Sequence, residues 1–128
     1  MPSQSRARHA PRPEPAAVLT KALLRAADML GLPSAALARV LGVSEASISR
    51  LVTGARTIDP ASKEGELALI LLRVYRSLDA LVGTDATQRR AWMRAYNRAL
   101  NGKPVDLIER AEGLVAVISY LDAMRAPA

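Results

Sequence analysis

The sequence predicts an all-α fold in which an N-terminal helix-turn-helix bundle is followed by a smaller helical domain. Apolar residues recur at intervals of three and four along most of the chain, and no segment alternates apolar and polar residues as a strand does. Glycines stand at several points where these apolar repeats stop, which is typical of helix ends. With 128 residues, 50% of them hydrophobic, the chain is long enough for one compact helical unit with a tail.

Residues 1–15 are predicted to form a flexible basic arm. They hold four prolines, three arginines and His9, and they show no apolar periodicity. Two interpretations stay open: the arm contacts DNA phosphates or a minor groove, or it is a leader remnant that only keeps the protein soluble. The first helix is then predicted over residues 16–30, where Gly31 and Pro33 stop it.

Residues 34–53 fit the packing requirements of a helix-turn-helix. This motif needs a small residue where its two helices cross, a residue that tolerates positive φ in the turn, and an apolar residue that faces inward from the second helix. These three positions are occupied by Ala38, Gly42 and Ile48. Ser44 is predicted to cap the second helix and Gly54 to end it. The alternative is that two ordinary helices meet at a glycine-containing turn.

A long helix is predicted from about residue 63 until Gly83 ends it. Its apolar residues form one stripe, and the stripe includes Leu71, Val74 and Leu78. Because the stripe is long, we predict that it forms the seam of a symmetric homodimer.

The helix that follows is predicted over residues 85–100, with Thr84 as its cap. It carries Trp92 and Tyr96 four residues apart on one face, where we expect core and dimer packing rather than a ligand site, since the chain has no phenylalanine. A turn at residues 101–104 and a short helical turn then lead to a last helix at about residues 112–124.

Composition excludes several classes of function. The chain has no cysteine, its one histidine lies in the predicted arm, and no metal site or cofactor is expected. No apolar stretch approaches the roughly 20 residues that span a bilayer, so we expect a cytoplasmic protein without membrane contact. No catalytic pair of carboxylates or activated nucleophile can be assembled, which argues against an enzyme. The net charge of +6 suits a polyanionic partner.

A helix that lies in the major groove of DNA presents its outward positions to the bases. Arg50 is the main candidate for base contact, because its planar guanidinium can bond two acceptors of one guanine; the alternative leaves Arg50 in solvent. Since one such module gathers few phosphate contacts, two copies on adjacent half-sites of double-stranded operator DNA are expected. The predicted DNA-binding residues are Ser34, Ser44, Glu45, Ala46, Ser47, Ser49, Arg50, Thr53 and Arg56, with Arg39 as a weaker phosphate candidate.

The C-terminal half carries a long ordered motif. Trp92 is followed by Asn-Arg-Ala-Leu-Asn-Gly-Lys-Pro-Val-Asp-Leu over residues 97–107 and then by Glu112 and Gly113. This motif, together with the helix-turn-helix, resembles the Xre/MbcA/ParS family of antitoxins over nearly all of the chain after about residue 16.

The resemblance implies a type II antitoxin. Such a protein neutralises a RES-domain toxin, an enzyme that destroys cellular NAD, by covering the toxin's active site, and it represses its own operon by binding DNA. The resemblance also implies an Xre-like helix-turn-helix domain at residues 16–62 and a helical toxin-binding and dimerisation domain at residues 63–128. The residues that it implies for toxin binding are Asn97, Arg98, Asn101, Gly102, Lys103, Pro104, Asp106 and Arg125.

Other interpretations of this half stay open. Asn97 and Arg98 are also placed to bond the last carbonyls of their helix, and Asp106 to bond the free amides of the helix behind it. Arg110 stands where the family usually has a capping residue, so the start of the last helix is predicted to be poorly capped. The alternative function is a free-standing dimeric helix-turn-helix transcriptional regulator whose C-terminal half serves only to dimerise.

Overall fold

The computed structural model describes residues 14–127 and confirms the all-α class. Within this range the chain forms seven helices and no strand. They are α1 (Pro15–Leu30), α2 (Ser34–Leu41), α3 (Glu45–Thr53), α4 (Lys63–Val82), α5 (Ala86–Arg94), α6 (Pro104–Leu107) and α7 (Ala111–Arg125). None of these helices is long and apolar enough to cross a membrane. The predicted arm lies outside the described residues except for its last two, and Pro15 is the first residue of α1.

α4 is the central helix of the core. It packs against both α1 and α7, and the buried apolar side chains form one continuous cluster. Leu71, Val74 and Leu78 are each 0% exposed, so the prediction that this stripe forms a dimer seam is wrong. Apolar periodicity marks the face of a helix that is covered, and here α1 and α7 of the same chain cover it.

The predicted turn between α2 and α3 is confirmed. Gly42 has a φ of 70°, a left-handed conformation that glycine adopts without a steric penalty. The amide of Gly42 donates to the carbonyl of Arg39 at 3.3 Å, and the amide of Val43 donates to the carbonyl of Ala38 at 3.0 Å. These bonds satisfy carbonyls that the end of α2 would otherwise leave free.

The helix predicted over residues 85–100 starts and ends differently in the structure. Its cap is Asp85, whose Oδ1 accepts a hydrogen bond from the amide of Thr87 at 2.9 Å, so the prediction of Thr84 as the cap is wrong. A carboxylate in this position also interacts favourably with the positive end of the helix dipole. The helix, α5, then ends at Arg94.

Asn97 holds the segment after α5 in a turn. Its Oδ1 accepts a hydrogen bond from the amide of Leu100 at 3.1 Å, and Asn97 and Gly102 exchange two backbone hydrogen bonds of 2.9 and 3.2 Å. Asn101 completes the turn with a φ of 57°. A side chain that bonds nearby amides in this way competes with the hydrogen bonds of a helix.

Trp92 and Tyr96 therefore have different environments, and the prediction that they share a helical face is wrong. Trp92 is half-buried and stacks on Tyr120 of α7, with 6.3 Å between ring centroids. Tyr96 lies beyond the end of α5 and is 58% exposed.

α6 and α7 meet at a close backbone contact. A Cβ atom on Gly113 would lie 2.0 Å from the carbonyl oxygen of Leu107, which is impossible without movement of the backbone. Arg110 precedes α7 and makes no side-chain cap, as predicted. Among the described residues, the start of α7 accepts no cap from Asp106 either, because Asp106 lies within α6 and points to solvent.

Candidate functional site

The helix-turn-helix packs through the residues that the sequence indicated. Ala38 is 4% exposed and Ile48 is 1% exposed, and both belong to the continuous core. Ser44 caps α3, because its Oγ accepts a hydrogen bond from the amide of Ser47 at 3.1 Å. Gly54 ends α3 with a φ of 84°. The inner side of α3 is thus fixed against the protein.

The outer side of α3 is exposed. Arg50 extends from this side, and its Nη2 donates a hydrogen bond to Oγ of Ser47 at 3.3 Å. This long bond uses one donor, so the rest of the guanidinium stays available to acceptors outside the protein. Six predicted DNA-binding residues are exposed here, namely Ser44, Glu45, Ala46, Ser49, Arg50 and Thr53, while Ser47 is half-buried.

Two of the other predicted phosphate-contacting residues are already paired with carboxylates of the same chain. Arg56 is half-buried and forms an ion pair with Glu64 of α4. Arg39 donates two hydrogen bonds to the carboxylate of Glu109, at 2.7 and 3.1 Å, and this bonding and charge raise the pKa of Arg39 above its ordinary value. Ser34 is the first residue of α2 and is exposed. Among the predicted DNA-contacting arginines of the described residues, Arg50 is therefore the one without an ion pair.

A second exposed surface is formed by residues 96–103, which we call the α5–α6 loop. The backbone bonds between Asn97 and Gly102 make it compact, and both residues are half-buried. Pro104 is buried at the start of α6, so the prediction that it contacts a partner does not fit its position. Three predicted toxin-binding residues are exposed in this loop: Arg98, Asn101 and Lys103.

The remaining two predicted toxin-binding residues lie on other elements. Asp106 is exposed on α6. Arg125 is exposed at the end of α7, where its Nη1 donates a hydrogen bond to Oγ of Ser77 on α4 at 3.0 Å. Arg125 is thus oriented by α4 and not by the α5–α6 loop.

Sequence reasoning missed Tyr96 as a surface residue. Its hydroxyl donates a hydrogen bond to Oδ1 of Asn101 at 2.6 Å, so the exposed ring is held over the loop. Asparagine at position 97, followed by Asn101 and Gly102, was the signal that α5 ends before this tyrosine.

The outer face of α7 was also missed. Apolar residues occur all around this helix, so that some remain exposed after the core is complete. Val115 is 48% exposed on the outer face, whereas Met124 lies on the opposite side of the helix and is 53% exposed where α7 ends. The stacking of Trp92 on Tyr120 fixes α7 against α5, from which the α5–α6 loop departs.

Together these features define a helix-turn-helix protein whose C-terminal helices carry a separate exposed surface. The chain matches a model of the antitoxin Xre-like helix-turn-helix domain over residues 9–73 and a model of the antitoxin Xre/MbcA/ParS C-terminal toxin-binding domain over residues 77–126. It therefore belongs to the Xre/MbcA/ParS family of antitoxins. As such it is a DNA-binding and toxin-binding protein and not an enzyme. No curated protein matches the chain.

Proposed function

We propose that this antitoxin neutralises a RES-domain toxin, an enzyme that destroys NAD, by covering the toxin's active site, and that it represses its own operon as a homodimer. The observation that carries the proposal is that one core supports two separate exposed surfaces. The outer side of α3 suits DNA, and the α5–α6 loop with the outer face of α7 suits a protein. The resemblance of the C-terminal motif to the family supports the class of toxin.

The α5–α6 loop has the properties of a protein-binding anchor. Its backbone bonds and the contact of Tyr96 with Asn101 hold it in one conformation, which lowers the entropy lost on binding. Tyrosine and arginine are enriched among residues that dominate binding energy, and here Tyr96 and Arg98 are both exposed. With Lys103 they offer an aromatic ring and two positive charges, which complement an acidic cleft.

The outer face of α7 adds apolar contact area to this surface. Val115 is 48% exposed on this face. An interface that combines this apolar residue with charged loop residues resembles the apolar centre and polar rim of stable complexes. This is the surface that we propose closes the toxin's active site.

On the DNA side, Arg50 is the residue expected to carry sequence discrimination. Arg50→Ala should lower the preference for operator over scrambled DNA by about 1–3 kcal/mol, because a bidentate arginine–guanine contact is worth that much. The affinity ratio for the two DNAs is measured by gel shift at fixed salt. Arg94→Ala, which removes an exposed arginine at the end of α5, is the matched control and should leave the ratio unchanged. An unchanged ratio in Arg50→Ala would refute base contact by this residue.

On the protein side, reversing the charges at Arg98 and Lys103 is expected to abolish neutralisation. The double variant Arg98→Glu with Lys103→Glu should bind the toxin roughly a hundred-fold more weakly, because like charges then meet across the interface. Growth is measured in cells that express the variant with the toxin encoded by the neighbouring gene. The double reversal of Lys21 and Arg25, both exposed on α1, is the control and should still protect.

Continued protection by the Arg98 and Lys103 variant would count against this surface. The same cells separate the two candidate functions. If the wild-type chain neither binds nor neutralises the neighbouring gene product while it still binds its operator, the protein is a free-standing regulator.

A further inference from the structure

An apolar groove of about 630 Å³ runs between α1 and α4 on the surface of the molecule. Val18 of α1 is 52% exposed in this groove, and Leu69 of α4 is 45% exposed. Ala22 and Leu72 form its floor, while Arg73 and Arg76 stand at its margin. Apolar side chains that meet in a groove and stay about half exposed in the folded chain are available to pack against a partner.

We propose that this groove binds the same groove of a second copy of the chain, in an antiparallel arrangement about a twofold axis. The inference rests on the homodimer proposed above and specifies its surface. The long apolar stripe of α4 is not available for this role, because Leu71, Val74 and Leu78 are buried within one chain.

α1 and α4 run in the same direction along the groove. Near their starts, the amide of Ile58, ahead of α4, donates a hydrogen bond to Oγ1 of Thr20 at 2.8 Å. Near their ends, Arg89 bonds both the carbonyl of Met29 at 3.3 Å and the carboxylate of Asp79 at 2.7 Å. The N-terminal ends of both helices therefore lie at one end of the groove, which we call the starting end. Their C-terminal ends lie at the other end, which we call the finishing end.

The charges of the groove differ between these ends. Glu66 lies one turn before Leu69 on α4, and Glu14 immediately precedes α1, so the starting end is acidic. Arg76 follows Leu69 by two turns and makes the finishing end basic, whereas Arg73, one turn after Leu69, is already paired with Asp122 at 2.7 Å. A twofold axis reverses the second groove against the first, which brings each acidic end to a basic end and the apolar centres together. A surface that is complementary to itself in this way is what an isologous dimer requires.

This arrangement leaves α3 free. The side of α1 that carries Ala17, Lys21 and Leu24 faces the end of α3, where these residues line a different groove with Leu51 and Val52. The dimer groove is lined instead by Val18 and Ala22, on the other side of α1. Two copies joined through the α1–α4 groove thus both keep their α3 surface exposed for adjacent half-sites.

The first test is the mass of the full chain in solution, measured by light scattering and by sedimentation equilibrium over a range of concentrations. The wild type should have twice the monomer mass of 13.7 kDa. Leu69→Glu should raise the dissociation constant of the dimer by at least about thirty-fold, because it places two carboxylates in the apolar centre. Val115→Glu on α7 is the matched control, since its position is 48% exposed against 45% for Leu69, and it should stay dimeric. Circular dichroism verifies that both variants are folded.

The second test is a charge exchange. Glu66→Arg and Arg76→Glu should each weaken the dimer. The double variant should recover most of the wild-type affinity, because the positive and negative charges at the two ends of the groove have then only changed places. A double variant that is no tighter than either single one would overturn the antiparallel arrangement. If Leu69→Glu dimerises like the wild type, the groove is wrong while the homodimer stands. A monomeric wild type would contradict both the groove interface and the homodimer.

Discussion

Gly113→Ala is expected to destabilise the chain by about 3 kcal/mol, at the upper end of the range for overpacking. The added Cβ would lie 2.0 Å from the carbonyl oxygen of Leu107 and 2.8 Å from its carbonyl carbon. These are backbone atoms, so the clash cannot be relieved by turning a side chain. Either α7 moves away from α6 or the turn between them opens, and both movements separate α7 from the core.

The same variant should also lose toxin binding at temperatures where it remains folded. Leu107 contacts the α5–α6 loop as well, because its Cδ2 lies 3.1 Å from where a Cβ on Gly102 would be. A displacement of Leu107 by the alanine at position 113 is therefore transmitted to the loop that carries Arg98 and Lys103.

Urea denaturation measures the change in stability, and binding to the neighbouring toxin measures the second effect. Ser119→Ala, on the exposed side of α7, is the control and should change stability by no more than about 0.5 kcal/mol. A Gly113→Ala protein with wild-type stability would mean that α6 and α7 are not in close contact in solution.

The helix-turn-helix could be predicted from sequence because its determinants are local. Gly42 sets the turn, Ser44 caps α3 and Gly54 ends it, and each acts within four residues of its own position. Local competition also bears on the error at α5: apolar spacing indicated a helix to residue 100, but α5 ends at Arg94 and the side chain of Asn97 bonds the amide of Leu100 in place of a helical carbonyl.

What covers an apolar stripe could not be predicted in the same way. The stripe of Leu71, Val74 and Leu78 has the same spacing whether it faces α7 or a second copy of the chain, because periodicity reports burial and not its partner. The assignment of Arg39 to phosphate has the same limitation. Its actual partner, Glu109, lies 70 residues away, and only the tertiary fold brings the two together.

The sequence analysis did not single out Arg89, and the structure buries it more deeply than any other charged side chain of residues 14–127. It is 1% exposed, although arginine is rarely buried without a partner. Its Nη2 bonds Asp79 at 2.7 Å, its Nη1 bonds the carbonyl of Met29 at 3.3 Å, and its guanidinium lies 5.4 Å from the ring centre of Tyr75. Arg89 thus joins the end of α1, the end of α4 and α5.

Asp79→Ala is expected to cost about 3–5 kcal/mol of stability, because it leaves the buried guanidinium of Arg89 without a counter-charge. Arginine cannot relieve this cost by losing its proton, and its Nε already has no hydrogen-bond partner among the described residues. The exposed pair of Arg73 and Asp122 has the same 2.7 Å separation, with side chains 56% and 45% exposed, and serves as the control. Asp122→Ala should cost less than about 1 kcal/mol, since water solvates the arginine that is left.

Urea denaturation of Asp79→Ala and Asp122→Ala shows whether the loss of stability depends on the burial of the arginine that is left unpaired. Equal losses would show that Arg89 is hydrated in solution. A large loss in Asp79→Ala that is largely recovered by adding Arg89→Met would show that the unpaired charge, and not a lost contact, destabilises the variant. Because Arg89 connects the helix that supports α2 and α3 with the helix that leads into the α5–α6 loop, Asp79→Ala should weaken operator binding and toxin binding together. Arg50→Ala and the Arg98 and Lys103 variant should each impair only one of the two.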